Sequence, residues 1–408
     1  MEKRVIIVSY HFPPYGGKAV QRASKLVKYL PEFGWKPVVF TMPPGEKGVP
    51  VDATLLDDLP ADVEIHRPPY RSWWKLVPHD IRKYLYHPLP DKYRSWVDAS
   101  GERLVSLVKS SGARALVSTS PTHSAQLLGL AAKKKTGIPW IADFRDPWSG
   151  HPDFRAKKHA DRMYALETEV IGRADAVVGV YPKILRDFEG RAPKDKLHLI
   201  ENGYDEEDFH LVDRSGTPKE GTLWMGYNGT VSDFHDPAPL LDPLEALAAG
   251  GGLDTASLRI VFTTSEGGKK RFAPYETLAK TGVLIVRDYV PHAESLAALA
   301  EMDVSLHLLT RGRDIYPGKI FEYFHLGNPI LSLGEPDDDL ARLIGETGGG
   351  IVVDYRRPDD VTRAVLDLIE KKKRGELPHL VPPAETVTRF SRRGVAERYA
   401  ALLDAVSE

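Results

Sequence analysis

Short runs that are apolar throughout alternate with stretches that are apolar on one face only, and this alternation runs twice along the chain. In the first half the apolar runs are residues 5–8, 37–41, 115–118, 140–142 and 176–180. Residues 19–30 between them carry Ala23, Leu26, Val27 and Leu30 at helical spacing. Strands apolar on both faces and separated by helices belong to a parallel sheet covered on each side by helices. After Leu199-Ile200-Glu201-Asn202-Gly203 the series restarts, with runs at 223–227, 258–262, 283–286, 304–308, 329–333 and 350–353. The hydrophilic stretch 205–221 lies between the two series and reads as a linker. The expected fold class is therefore α/β, with two doubly wound Rossmann-like domains at 1–204 and 205–389. A last amphipathic helix, 392–406, aligns Val395, Tyr399, Leu402, Leu403 and Val406 after a Pro-rich stretch at 377–383. That position suits a segment, 390–408, that packs back on the first domain.

Length and composition agree with two ordinary cores. The chain has 408 residues, 42% hydrophobic and 27% charged, with a formal net charge of -2. So even a charge balance does not suit a nucleic-acid partner, and none is expected. The sequence contains no cysteine, which excludes disulfides, thiolate metal sites and cysteine nucleophiles. The opening apolar run is only four residues long and no uninterrupted apolar stretch spans a bilayer, so a cytoplasmic protein is expected. Lys133-Lys134-Lys135 and the basic run 371–374 fall near helix ends, where cations favour the carbonyl-rich terminus.

Loops that follow strands carry the chemistry of such sheets. The first is Ser9-Tyr10-His11-Phe12-Pro13-Pro14-Tyr15-Gly16-Gly17-Lys18. Gly16 and Gly17 precede a helix, where bare backbone lets a phosphate approach unpaired amides; a tight strand-to-helix turn uses the same residues. A dinucleotide fingerprint and a phosphate-binding P-loop are both absent, which argues against hydride transfer and P-loop hydrolysis. In the second half, residues 311–330 enter a helix through a cationic loop containing Arg311 and Arg313. Lys319 and Glu322 are three apart and share a helix face. A cation for a diphosphate beside a carboxylate for ribose hydroxyls suits a sugar nucleotide. A surface ion pair worth under about 1 kcal/mol uses the same two residues. Residues 67–96 interleave basic and aromatic side chains, as suits either an anionic membrane surface or a flap packed on the domain. Asp337-Asp338-Asp339 stands at a helix start, where acids cap amides more readily than they hold a metal.

Taken together, Tyr10–Pro14 with Gly16-Gly17 and Gln21-Arg22, Lys28-Tyr29-Leu30 with Phe33-Gly34-Trp35, Ala142-Asp143-Phe144-Arg145-Asp146-Pro147-Trp148, Glu201-Asn202-Gly203-Tyr204-Asp205 and the block 317–329 resemble the retaining glycosyltransferases of family 4, bacterial and of the GT-B fold. The resemblance implies two domains facing each other across a cleft and transfer, with retention and without metal or other cofactor, from a nucleotide-diphosphate sugar. The acceptor would be a glycan or a lipid-linked species, as in polysaccharide biosynthesis; peripheral contact to the inner membrane face is expected only on the membrane-surface reading of 67–96 given above, and the packed flap is slightly favoured over it. It further implies that Glu322 binds ribose hydroxyls and that Asp314 faces the donor sugar. Many relatives hold the diphosphate with two cations at positions that correspond here to Thr230 and His235, so Lys319, with Arg311 or Arg313, is the substitute. Where relatives place a sugar-contacting His, this chain has Arg145 followed by Asp146. His123 is the nearest histidine, as a sugar ligand or as a capping and packing residue. The alternatives are a GT-B epimerase or phosphorylase, or a nucleotide-sugar-binding subunit without catalysis.

Overall fold

The computed structural model describes residues 2–46, 49, 51–70, 78, 89–150, 160–213, 221–308 and 316–408. The chain divides into two compact units: Met1–Asn202 with Arg392–Glu408, and Gly203–Ser391.

The first unit is built on a parallel sheet. Its strands are β1 (Lys3–Ser9), β2 (Trp35–Phe40), β3 (Glu64–His66), β4 (Ala113–Thr119), β5 (Trp140–Phe144), β6 (Ala176–Gly179) and β7 (Leu197–Leu199). Their order is β3-β2-β1-β4-β5-β6-β7, so the direction of winding reverses between β1 and β4. The helices used below are α1 (Lys18–Tyr29), α2 (Arg94–Ser111), α3 (Ser124–Thr136), α4 (Ala160–Arg173) and α5 (Pro182–Phe188). Val5, Ile7, Val39, Val117 and Ile141 on one sheet face pack with Ala23, Leu26 and Val27 of α1. Each wholly apolar run is a central strand, as burial on both faces requires. The two strands that the hydrophobic pattern does not reveal, β3 and β7, are three-residue edges with no fully buried residue. Lys133, in the last turn of α3, is paired with Asp175 at 2.7 Å.

In the second unit, β8 (Leu223–Asn228), β9 (Leu258–Thr264), β10 (Leu284–Asp288), β11 (Val304–Leu308), β12 (Ile330–Gly334) and β13 (Gly350–Asp354) form a parallel sheet in the order β10-β9-β8-β11-β12-β13. Winding reverses there between β8 and β11. Its helices include α6 (Ala238–Ala249), α7 (His292–Ala300), α8 (Lys319–Leu326), α9 (Asp339–Thr347) and α10 (Pro358–Arg374). Asp338 caps α9 by accepting a hydrogen bond from the Ala341 amide at 2.7 Å, and Asp339 pairs with Arg342.

The last helix, α11 (Arg392–Ser407), belongs to the first unit, where Val395, Tyr399, Leu402 and Leu403 join the core beside α1. The hydrophilic stretch 205–221 is not where the chain leaves the first unit. Residues Glu206–Phe209 form a 3-10 turn within the second unit, capped by Asp205, with Phe209 against the His325 ring at 4.5 Å. Polarity there reflects an exposed turn anchored by one aromatic side chain. The passage comes earlier, at Asn202–Gly203. The Tyr204 amide donates to the Phe390 carbonyl at 3.1 Å, and a Cβ on Gly203 would lie 1.9 Å from that oxygen. Only glycine admits the approach.

Candidate functional site

Ligands of doubly wound sheets sit beyond the strand carboxyl ends where the order reverses. In the first unit these are the loops after β1 and β4. The β1 loop is held by its own backbone and by Tyr15, whose hydroxyl donates to the Pro43 carbonyl at 3.2 Å and accepts from the Glu46 amide at 2.8 Å. Arg67 donates to the Met42 carbonyl at 3.0 Å and also to the Pro13 carbonyl. Gly17 is the N-cap of α1 at φ +88°, and a Cβ there would meet nothing within 4 Å. Backbone conformation, not space, is what asks for glycine. Gly16 beside it is buried.

Arg145 follows β5 directly. Its backbone amide donates to Ser120 Oγ at 2.9 Å, and its guanidinium donates to the Ala19 carbonyl in the first turn of α1 at 2.7 Å. The structure thus brings Arg145 to the first turn of α1, which follows Gly16-Gly17. Burial holds its pKa below the ordinary value, opposed by Asp146, which is itself exposed. His123 is placed differently. Its ring is buried and stacks on Trp148 with centroids 5.0 Å apart and planes 9° apart. Burial lowers its pKa against the pull of Asp91, Asp146 and Glu167. Its side chain does not cap α3. Asp91 does, accepting from the Ser124 amide at 3.0 Å and the Ser124 hydroxyl at 2.6 Å. Of the two residues read from the sequence for one role, Arg145 meets the first turn of α1 and His123 is packed into a stack.

Two features of this edge were not read from the sequence as functional. His11 is half-buried just past β1, edge-on to Tyr10 at 4.9 Å, with Nδ1 buried and without a partner. Burial lowers its pKa, Glu46 raises it, and Lys92 and Arg145 lower it. The available signal was a polar ring at the first turn beyond an apolar strand. The other is a wholly buried pair. Arg22 donates to both carboxylate oxygens of Asp143, at 3.0 and 3.2 Å, to the carbonyls of Ile200 and Glu201 at 2.8 Å each, and to the Tyr399 hydroxyl at 3.0 Å. Burial is the largest influence and opposes the charge on Arg22, but Asp143 and Tyr399 together overcome it, so its pKa stands above the ordinary value. Thr119 also donates to Asp143, at 2.5 Å.

In the second unit the β8 end and the α8 start meet. Lys319 Nζ donates to the Asn228 carbonyl at 3.1 Å and lies 4.2 Å from the centre of the Tyr227 ring. Gly229, at φ +149°, lies under the amine, and a Cβ there would sit 2.9 Å from Nζ. The Tyr227 hydroxyl donates to the carbonyl of Thr230, an exposed residue. Ser232 and His235 exchange backbone hydrogen bonds at 3.3 and 3.1 Å and close this loop. Behind it, His307 is buried with Nδ1 2.9 Å from Ser332 Oγ. Burial, then the charges of Lys319 and His235, push its pKa down to about 3. Glu322 Oε1 lies 3.5 Å from His292 Nε2, which is 3.8 Å from Asp208 Oδ2. Arg311, Arg313 and Asp314 lie outside the described residues.

Among the described residues no group of three or more His, Asp or Glu is arranged to hold a metal ion, and no helix is long and apolar enough to cross a membrane. Residues 71–77 and 79–88 of the basic aromatic segment lie outside the described residues. At its described end, Tyr93 and Trp96 pack on Tyr10, with centroids at 4.1 and 5.1 Å.

Residues 18–203 match the family described as glycosyl transferase 4-like domain, a little under half of the chain. No curated protein matches the sequence. Solved structures match along nearly the whole length. Sucrose-phosphate synthase from Thermosynechococcus elongatus is 13% identical with a TM-score of 0.63, covering 99% of each chain. The Anabaena protein HepE in complex with UDP and glucose is 14% identical with a TM-score of 0.61, covering 98% of this chain and 99% of that one. The lipopolysaccharide outer core galactosyltransferase WaaB, in its apo form, is 13% identical with a TM-score of 0.62 at the same coverage. At these identities the likeness is one of fold: the chain has the GT-B fold, two α/β domains each built on a parallel sheet.

Proposed function

We propose that this protein is a glycosyltransferase that moves a sugar from a nucleotide-diphosphate donor to a glycan or lipid-linked acceptor, with retention and without a metal. The observation that carries the reading is Lys319. Its amine is fixed by the Asn228 carbonyl and the Tyr227 ring at the end of β8, over a glycine that leaves room for it. Departure of the nucleoside diphosphate builds negative charge on oxygen. One cation at about 4 Å from a unit charge is worth about 4 kcal/mol at an effective dielectric near 20. The α8 N-terminus adds amide dipoles of the same sign. Glu322, one turn along α8, receives the ribose hydroxyls in this reading. Asp314 and Arg313, which precede α8 in the sequence, take the donor sugar and the diphosphate in this reading. In the first unit the reading uses the Gly16 and Gly17 amides and Arg145 with Asp146.

The match of residues 18–203 supports the reaction class, and the HepE complex makes uridine nucleotides the first to test. The experiment is a thermal-shift panel of UDP-, GDP-, ADP- and dTDP-sugars with and without EDTA. One base series should raise the melting temperature selectively, since a ligand at about 100 times its Kd adds about 2.7 kcal/mol. EDTA should leave the shift unchanged. A panel in which no sugar nucleotide stabilises the protein sinks the proposal.

A further inference from the structure

His292 stands between two carboxylates that come from different elements. Asp208 belongs to the 3-10 turn and Glu322 to α8, and their oxygens lie 3.8 and 3.5 Å from the same Nε2. The three elements are tied to one frame. The Asn228 side chain donates to the Ser295 carbonyl at 2.7 Å and to its hydroxyl at 2.9 Å, fixing the first turn of α7. The backbone carbonyl of the same Asn228 accepts from Lys319. Phe209 locks the turn against His325 on α8. A glutamate has three rotatable bonds, so its carboxylate stays in one place only where neighbours hold it. The His292 ring between them is a polar neighbour 3.5 Å from Glu322 Oε1 and limits where that oxygen can turn.

We infer that His292 is a positioning residue for the donor: it holds Glu322 Oε1 so that the other oxygen meets the ribose hydroxyls of a nucleoside diphosphate. The inference rests on the donor reading given above. His292 is half exposed, with 52% of its side chain accessible, so its replacement leaves the core intact.

The test compares a nucleoside diphosphate with its 2′,3′-dideoxy analogue. UDP, GDP, ADP and dTDP are first titrated calorimetrically against the wild-type protein, and a ribonucleotide that binds is carried forward. His292→Ala should weaken the ribonucleotide about 10-fold, as Glu322 loses the ring that limits its rotation. It should leave the dideoxy analogue within about 2-fold, because the missing hydroxyls remove what Glu322 would hold. His292→Gln, which restores a polar neighbour, should recover most of the ribonucleotide affinity. Equal weakening of both ligands, or none of either, overturns the role of His292 while leaving the donor site standing. A wild-type protein that binds none of the four nucleotides overturns the donor reading and this inference with it.

Discussion

Lys319 shows how little of a side chain's setting is local. The sequence places it on a helix face with Glu322, and the spacing fits both a donor site and a plain ion pair. What separates the two is a carbonyl and a ring 91 and 92 positions away, at Asn228 and Tyr227, and a glycine at 229 whose closeness to the amine no sequence pattern shows. Lys319→Ala should lower turnover on the order of 100-fold while the melting temperature stays nearly constant, since the amine is stacked at an edge and not buried in a core. Activity retained within a few-fold would remove it from the role. His307 makes a prediction of the other kind. Folded, it stays neutral down to about pH 3, whereas in the unfolded chain it takes a proton near 6.5. Below 6.5 the unfolded state therefore binds more protons, and stability falls as pH falls, by up to about 1.4 kcal/mol per pH unit. Urea unfolding between about pH 7.5 and pH 5 should show a shallower decline in His307→Asn, which keeps a partner for Ser332 and cannot titrate. Parallel curves would mean that His307 protonates in the native state.

At the scale of the elements, the strands were legible and their edges were not. Residues such as Ile6, Val117 and Ile141 need burial on both faces, and an unbroken apolar run is the one pattern that provides it. β3 and β7 have a neighbour on one side only and tolerate Glu64 and His198, so they look like loops. The stretch 205–221 looks like a linker for a related reason: one aromatic, Phe209, packed on His325, is enough to seat the polar turn 206–209 in the second unit. The site divides the same way. The glycine turn and Arg145 could be read because they stand in the loops that follow β1 and β5. The Arg22–Asp143 pair could not, because its partners stand 121 residues apart and each looks like an ordinary motif residue. That pair joins α1, β5, α11 and the carbonyls of Ile200 and Glu201. Arg22→Met leaves Asp143 buried without its cation and should cost about 3–5 kcal/mol, read as a lower denaturant midpoint. A change under about 1 kcal/mol would show that solvent reaches Asp143.

For the whole molecule, the two sheets account for the match to glycosyltransferase structures from end to end, and they leave substrate choice to the loops. α11 is the exception to a simple division into halves. Its stripe was visible from Val395 to Leu403, and the structure assigns that stripe to the core around α1. Removing residues 392–408 should therefore expose apolar surface on the first unit and leave a protein that binds a hydrophobic dye and has no sharp thermal transition. A truncated chain that melts cooperatively near the full-length temperature would refute this. The same interleaving dictates an order of assembly. A ribosome releases the Arg22 side of this core some 370 residues before the helix that seals it, so the lobe made first is the lobe completed last. Through the synthesis of all of 203–391 a groove beside α1 waits uncovered, which makes the nascent chain a natural client for chaperones that shield apolar surface.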